Sequence, residues 1–347
     1  MKIKINGKDC VATAGESILS VCQREGLHIP TLCYDKRLTP DGSCRMCVVE
    51  DKWGNLVTSC STLAKEGMEI QTHSEKVVQS RKKNLNLLFS NHPKDCLTCD
   101  ASGRCKLQDY CYEYGIKDGS YRAGEQKALE KDTSNRFYDY DPNKCILCGK
   151  CYRVCNELQC TDAIGLSNRG FYTKVSTPNE EGLRESRCVS CGNCVAVCPT
   201  GALVPKGKNF QYFETKRTRT TCSYCGVGCQ IEVLTRGKEI VGVEPHFGAK
   251  ANDGLLCVKG RFSWHFIQHR DRIKTPLIKE DGVFRIASWD EALDLIASKM
   301  TSIKEESGPD AIGGFASARC TNEDNYLFQK LLRAGIGTNN VDHCARL

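Results

Sequence analysis

The sequence predicts an α+β protein built from several domains, and three observations carry this prediction. A chain of 347 residues with 40% hydrophobic content is longer than a typical single domain and can bury a sizeable core. Short alternating runs typical of strands, such as Ile3 and Ile5, precede apolar positions at helical spacing, such as Ile18, Leu19 and Cys22. In addition, 25 cysteines are gathered in groups along the chain.

The cysteines define the chemical class. Thiolates at short fixed spacings are soft-metal ligands in a reducing compartment, whereas a disulfide framework, the alternative, is typical of short secreted chains. No stretch reaches the roughly 18 apolar residues that span a bilayer, and the first residues carry no signal core, so we expect a cytoplasmic protein without a membrane span. The net charge of +7 includes one basic run, Lys216, Arg217 and Arg219. Because no aromatic residues interleave it, we interpret this run as a solvated linker and expect no nucleic-acid partner.

Residues 1–78 are predicted to hold the first cluster. A hairpin turning at Asn6-Gly7 and a helix are followed by a C-x10-C-x2-C-x12-C pattern. Four thiolates in a loop of small residues suit a [2Fe–2S] cluster, although four cysteines can also bind zinc. The arrangement resembles the β-grasp ferredoxin fold; Cys10 is interpreted as a strand residue and Cys22 as a core residue, and neither as a ligand. The predicted ligands are Cys33, Cys44, Cys47 and Cys60.

Residues 79–118 follow with a different ligand set. An amphipathic helix leads to an H-x3-C-x2-C-x5-C pattern, in which a histidine precedes three cysteines that would otherwise lack a fourth ligand. This stretch resembles the large iron–sulfur subunit of respiratory complex I, in which a histidine replaces one cysteine of a [4Fe–4S] cluster. The resemblance implies His92, Cys96, Cys99 and Cys105 as ligands, and we interpret Cys111 as structural.

Residues 135–210 contain an internal repeat of two C-x2-C-x2-C-x3-C runs, as in bacterial ferredoxins that hold two [4Fe–4S] clusters. In this motif the fourth cysteine of each run binds the other cluster. We therefore expect one cluster on Cys145, Cys148, Cys151 and Cys198, and another on Cys188, Cys191, Cys194 and Cys155. Asn156 stands where proline is usual, and Cys160 in the insert has no assigned role.

Residues 217–275 hold the fifth pattern, C-x2-C-x3-C-x27-C, formed by Cys222, Cys225, Cys229 and Cys257. The spacing fits a fourth [4Fe–4S] cluster, with zinc as the alternative on spacing alone. The stretch resembles the amino-terminal domain of molybdopterin oxidoreductases, most closely cytoplasmic formate dehydrogenases. By that resemblance Lys259, two residues after the last cysteine, lies between cluster and pterin as an electron relay.

Residues 276–347 are predicted to begin the molybdopterin-binding α/β domain of that family. Ser288 and Glu291 form a capping-box pattern ahead of an apolar helical face that includes Leu293 and Ile296. A strand-like run over 311–316 and a helix around 326–332 follow.

The resemblance implies the electron-transfer part of a formate dehydrogenase that interconverts formate and CO2 at a molybdenum or tungsten bis(molybdopterin guanine dinucleotide) centre. Electrons would pass through one [2Fe–2S] and four [4Fe–4S] clusters to a flavin-containing, NAD(P)-binding iron–sulfur subunit, or to a hydrogenase or ferredoxin. No nucleotide-binding glycine fingerprint occurs in the chain itself. The alternative is a non-catalytic adaptor resembling a shortened complex I subunit, and nitrate reductase is a related catalytic alternative.

The last residues, 337–347, resemble the segment that in formate dehydrogenases leads into a selenocysteine or cysteine metal ligand. We expect Cys320 and Cys344 to neighbour that position rather than to bind the metal. Our hypothesis is that the fragment 1–347, which by itself should not be catalytic, ends because a selenocysteine codon was read as a stop. Genomic sequence without an open frame of the same family after codon 347 would contradict it.

Overall fold

The computed structural model describes residues 1–117, 121, 127–207 and 215–344, which form two compact units, Met1–Thr215 and Lys216–Leu347. Among the described residues, no helix is both long and apolar enough to cross a membrane. Residues 345–347, the end of the segment compared with formate dehydrogenases, lie outside the described part of the chain.

The first unit begins with the predicted hairpin and helix, and the hairpin is part of a five-stranded mixed sheet. The helix α1 begins after Ser17, whose hydroxyl accepts a hydrogen bond from the backbone N–H of Ser20. The bounds are β1 Lys2–Ile5, β2 Lys8–Val11, α1 Ile18–Arg24, β3 Val48–Asp51, β4 Leu56–Thr58 and β5 Glu69–Gln71. The strand order is β2-β1-β5-β3-β4, with β5 parallel to β1 and the other pairs antiparallel.

Two helices join this sheet domain to the rest of the first unit. They are α2, Glu75–Ser90, and α3, Lys106–Glu113. Their buried faces share one core with Leu32 and Met46, which flank predicted cysteine ligands in the sheet domain. The core therefore fixes the cysteine loop of the sheet domain to α2 and α3.

The remainder of the first unit consists of short elements around the repeated cysteine runs. Strands β6 and β9 pair antiparallel, as do β7 and β8. The helices α4 and α5 each follow a glycine in a left-handed conformation, and α4 continues into a π-helical turn, Val154–Leu158. The bounds are β6 Tyr138–Tyr140, α4 Lys150–Arg153, β7 Gly165–Ser167, β8 Lys174–Ser176, α5 Asn193–Val197 and β9 Leu203–Pro205.

The second unit starts with an antiparallel sheet of order β10-β11-β12. The basic run that we interpreted as a linker is part of the edge strand β10, where Arg217 pairs with Glu232 and Glu244, so that interpretation was wrong. The parallel pair β15 and β16 flanks the last helix α8, which continues into a π-helical turn, Leu331–Ile336. The bounds are β10 Lys216–Thr221, β11 Gln230–Arg236, β12 Glu239–Pro245, α6 Val258–Phe262, β13 Leu277–Glu280, β14 Val283–Ile286, α7 Trp289–Ser307, β15 Gly314–Ala316, α8 Asn322–Lys330 and β16 Val341–His343.

Helix α7 confirms one half of the predicted capping box. The Ser288 hydroxyl accepts from the N–H of Glu291, whereas the Glu291 carboxylate accepts from Arg285. The apolar face predicted for this helix is present but exposed: Leu293 and Ile296 are 55% and 50% accessible.

The shared core of the first unit gives a stability prediction. Leu85 is fully buried in α2, whereas Leu87 on the same helix is 58% exposed. We expect Leu85→Ala to lower the free energy of unfolding by about 2–5 kcal/mol because it leaves a cavity. Leu87→Ala, the control, should cost less than about 1 kcal/mol. Urea unfolding under anaerobic conditions measures both, and equal losses would show that this core does not tie the elements together.

Candidate metal centres

The four cysteines predicted to bind the [2Fe–2S] cluster come together at one end of the five-stranded sheet. Cys33, Cys47 and Cys60 are each about 1% exposed, and Cys44 is partly buried. Their sulfur atoms form two hydrogen-bonded pairs, Cys33 with Cys44 and Cys47 with Cys60. Two pairs of thiols are the arrangement that two iron atoms require, because each iron takes two protein ligands.

Hydrogen bonding gives the two thiols of each pair different pKa values. The hydrogen bond with Cys44 lowers the pKa of Cys33, and the hydrogen bond with Cys60 lowers the pKa of Cys47. The Ser59 hydroxyl donates to the Cys47 carbonyl at 2.7 Å and holds this end of the loop. The loop thus favours a thiolate in each pair, and thiolate is the ligating form.

His92 has the geometry of a metal ligand. Its side chain is 8% exposed, and its Nδ1 lies 2.9 Å from the Pro93 carbonyl oxygen, which can only accept a hydrogen bond. Nδ1 is therefore the protonated nitrogen, and burial lowers the pKa of the imidazole, which favours the neutral ring. The remaining nitrogen, Nε2, is buried and has no hydrogen-bond partner among the described residues. An orphaned lone pair of this kind fits iron.

The three cysteines that follow His92 lie close enough to interact electrostatically. Both Cys96 and Cys99 contribute to the raised pKa of Cys105, about 11, for which burial is the main cause. The ammonium of Lys144 pairs with Asp95 at 2.7 Å and also interacts with Cys99. The structure thus brings the three cysteines together and places one buried cation beside them.

Gly201 is a residue of this site that the motif analysis missed. A Cβ atom built on Gly201 would lie 2.7 Å from the Cys99 sulfur and 3.4 Å from Lys144 Cδ. Only a residue without a side chain leaves room for Cys99 here. Nothing in the spacing of the cysteines pointed to this contact, because Gly201 follows a different cysteine run.

The two ferredoxin-like runs have matching backbone conformations. Leu147 and Ser190 have φ values of 54° and 53°, and Gly149 and Gly192 have values of 72° and 71°. In both loops a backbone N–H points at the first cysteine: Leu147 N lies 3.4 Å from Cys145 Sγ, and Ser190 N lies 3.4 Å from Cys188 Sγ. The repeat in the sequence is therefore also a repeat in loop geometry, and its amides favour thiolates.

Each predicted cluster of this domain corresponds to one cavity. One cavity is lined by Cys155, Cys188, Cys191 and Cys194. A second is lined by Cys145, Cys148, Cys151 and Cys198. In both, three cysteines come from one run and the fourth from the other, which is the crossed arrangement expected for two clusters.

Strand β6 contributes a tyrosine to each cavity, Tyr138 to the first and Tyr140 to the second. The Tyr138 side chain is fully buried, and its hydroxyl oxygen lies 3.1 Å from Cys188 Sγ. Burial raises the pKa of Tyr138 far above its usual value, so the hydroxyl keeps its proton. It can therefore donate to a Cys188 thiolate, an interaction that the spacing analysis did not anticipate.

The cysteines predicted for the fifth site also meet, in the second unit. Cys222, Cys225 and Cys257 all interact electrostatically with Cys229, whose pKa is raised mainly by burial. The Cys222 N–H donates to the Cys229 carbonyl at 2.8 Å and closes the loop. Lys259 is exposed in α6, two residues after Cys257.

The cysteines without a predicted ligand role have other locations. Cys10 and Cys22 lie in the core of the sheet domain, and Cys111 is buried in α3. Cys160 is exposed, as are Cys320 and Cys344, and the Cys344 sulfur lies 3.4 Å from the Ser317 hydroxyl. All 25 cysteines of the chain are free thiols.

The residues present fit iron–sulfur clusters. The orphaned Nε2 of His92 and the two cavities lined by four cysteines each are the observations that fit such groups.

Fold and sites together define a multi-cluster iron–sulfur protein, and comparison with family models agrees. Five models match successive segments of the chain. They are the 2Fe-2S iron-sulfur cluster binding domain (1–75), the NADH-ubiquinone oxidoreductase-G iron-sulfur binding region (81–120), the 4Fe-4S dicluster domain (144–202), the molybdopterin oxidoreductase Fe4S4 domain (215–269) and molybdopterin oxidoreductase (272–347).

Curated relatives identify the family. The chain is 40% identical to the "NADPH-Fe(3+) oxidoreductase subunit alpha" of Geobacter sulfurreducens, over all of this chain and 40% of that protein. It is 34% identical to the "Putative formate dehydrogenase SAV2309" of Staphylococcus aureus, over 99% of this chain and 39% of that protein. The chain belongs to the molybdopterin oxidoreductase family, with a complex-I-like iron–sulfur region at its amino terminus. It spans about two fifths of the length of these relatives.

One solved structure resembles a large part of the chain. It is described as the crystal structure of an NAD+-reducing [NiFe]-hydrogenase in the H2-reduced state. The match has a TM-score of 0.57 and 27% sequence identity, and it covers 60% of this chain and 88% of that chain. The likeness extends beyond the molybdopterin oxidoreductases to another class of redox enzyme.

The geometry of His92 gives a test of its predicted role. We expect His92→Ala to lose one [4Fe–4S] signal in electron paramagnetic resonance (EPR) and the corresponding iron. His92→Cys should keep the cluster at a more negative midpoint potential, because a thiolate adds negative charge. His28→Ala, which removes an exposed imidazole from the same unit, is the control. Unchanged iron content in His92→Ala would remove His92 from the ligand set.

The contact between Tyr138 and Cys188 predicts a change in potential without loss of a cluster. Tyr138→Phe removes one hydrogen bond to sulfur, so the cluster held by Cys188 should become harder to reduce, by on the order of tens of millivolts. The neighbouring cluster held by Cys145 is the internal reference. Redox titration followed by EPR measures both, and equal shifts at the two clusters would contradict a local hydrogen-bond effect.

Proposed function

We propose that this chain is the electron-transfer region of a formate dehydrogenase that interconverts formate and CO2. In this proposal a molybdenum or tungsten bis(molybdopterin guanine dinucleotide) centre supplies the formate chemistry, and one [2Fe–2S] and four [4Fe–4S] clusters carry single electrons. The observation that carries the proposal is in the second unit. There Cys229 and the three cysteines that interact with it, together with Lys259, precede a segment that matches molybdopterin oxidoreductase.

Each part of the chain has a defined task in this proposal. The cysteine loops bind clusters through thiolates, which nearby backbone amides stabilise, and His92 supplies the one neutral ligand. Lys259, two residues after Cys257, would supply a cation near the fifth cluster and relay electrons between it and the pterin.

The proposed partners are a flavin-containing, NAD(P)-binding iron–sulfur subunit and, alternatively, a hydrogenase or ferredoxin. Two comparisons support this: one relative is named for NADPH, and the solved structure is of an NAD+-reducing hydrogenase. The partner would dock near the first two clusters. We place the assembly in the cytoplasm, whose reducing conditions keep cysteines out of disulfides and available as ligands.

A second candidate function is that of a non-catalytic adaptor. The observation that favours it is the hydrogenase structure, 88% of whose chain is covered by the match. Such an adaptor would carry electrons between partner subunits and would need neither Lys259 nor a pterin.

Formate-dependent dye reduction by the protein from its native source, with mass spectrometry of the intact subunit, separates the two functions. We expect activity from a polypeptide heavier than 38.6 kDa that contains molybdenum or tungsten and pterin, and selenium if the codon hypothesis holds. An iron-rich subunit of 38.6 kDa that lacks pterin and does not react with formate would instead establish the adaptor.

In the full-length enzyme, Lys259→Ala should slow reduction of the clusters by formate while the cluster held by Cys229 remains assembled. Lys250→Ala, which removes another exposed lysine of the same unit, is the matched control. Equal rates in the two variants would remove Lys259 from the electron path.

A further inference from the structure

The long segment between Cys33 and Cys44 is held by residues at and just after the end of the first ferredoxin-like cysteine run, which spans 145–155. Arg153 Nη1 donates to the Thr39 carbonyl oxygen at 2.6 Å. One helical turn later, Glu157 accepts from the Thr39 N–H at 2.7 Å. The backbone N–H and the carbonyl oxygen of Thr39 are therefore both hydrogen-bonded. This fixes the orientation of the loop as well as its distance from Arg153.

The same guanidinium also reaches both predicted cluster loops. Arg153 Nη2 donates to the carbonyl oxygen of Cys33 at 2.5 Å and to that of Cys148 at 3.3 Å. Its Nε donates to the Gly149 carbonyl at 3.3 Å. The planar guanidinium of Arg153 thus connects a predicted [2Fe–2S] ligand with a predicted [4Fe–4S] ligand, and these two ligands are 115 residues apart in the sequence.

The charge of Arg153 requires compensation. The residue is 7% exposed, and its hydrogen bonds within the described ranges are all to backbone carbonyls rather than to a carboxylate. A buried cation is costly unless negative charge lies nearby. The thiolate-bound clusters expected on either side would supply that charge.

We propose that Arg153 is a positioning residue that fixes the [2Fe–2S] loop against the loop of the Cys148 cluster and makes the [2Fe–2S] cluster easier to reduce. The positioning comes from the N–H donors of the guanidinium, which join the two loops. The easier reduction comes from the fixed positive charge, which stabilises the more negative, reduced cluster. The inference rests on the proposed cluster assignment and deepens it.

Two substitutions at Arg153 separate these effects. Arg153→Lys keeps the positive charge but loses the several N–H donors of the guanidinium. The dipolar coupling between the reduced [2Fe–2S] cluster and its neighbour should therefore weaken. The midpoint potential should stay near that of the native protein. Arg153→Gln loses both the charge and these donors, so the coupling should weaken and the reduced fraction of the [2Fe–2S] cluster at a fixed potential should fall about tenfold. EPR-monitored redox titration and spin relaxation of the full-length protein measure both properties.

Glu157→Ala provides an independent test of the clamp. Glu157 is exposed, so its removal should weaken the coupling with little change in potential. Arg24→Gln is the matched control, because Arg24 is a half-exposed arginine on the sheet domain that pairs with Glu16. Neither property should change in that variant.

The outcomes are distinguishable. If Arg153→Lys and Glu157→Ala keep the native coupling, the clamp is wrong. If Arg153→Gln keeps the native potential, the electrostatic role is wrong; if that variant loses the cluster, Arg153→Lys and Glu157→Ala still decide the positioning role. Absence of any [2Fe–2S] signal from the native protein would instead contradict the cluster assignment on which the inference rests.

Discussion

The structure depends on one constraint. Sets of cysteine sulfurs must be held close together in a protein interior that disfavours the negative charge of a thiolate. Burial raises the pKa of Cys151 and Cys194 strongly, so as isolated thiols they would stay neutral. Ligation changes this balance because iron shares the thiolate charge. The loops add backbone amides aimed at sulfur, as at Cys145 and Cys188. Most of the remaining architecture serves to keep these loops in place.

Contacts between the modules of the first unit follow from the same constraint. Each loop alone is short and has little core of its own, so each is held by a neighbour. Arg153 joins the [2Fe–2S] loop to the first ferredoxin-like loop, and Lys144 and Gly201 lie against Cys99 of the histidine-containing set. The modules that the family models separate are therefore in contact at their candidate metal centres.

The accuracy of prediction varied with the kind of signal. Cysteine patterns predicted which residues come together, because ligand spacing is set by the size of a cluster. Periodicity predicted the hairpin, α1, α2, α7 and α8, but not the short helix α6. It did not predict that the basic run around Arg217 lies in a strand, because that strand is exposed at a sheet edge and has no alternating apolar face. The Glu291 carboxylate was also misassigned, since Arg285 competes for it.

The sequence by itself predicted the order of the candidate metal sites and their ligand types and indicated the family, because each of these depends on residue identity and short spacing. Tertiary structure decided which groups surround the ligands: the orphaned Nε2 of His92, the hydroxyl of Tyr138 on Cys188, and the guanidinium of Arg153 between two loops. These contacts join residues far apart in the chain. No local pattern encodes them, because they arise only when separate elements pack and a buried charge or lone pair must find a partner.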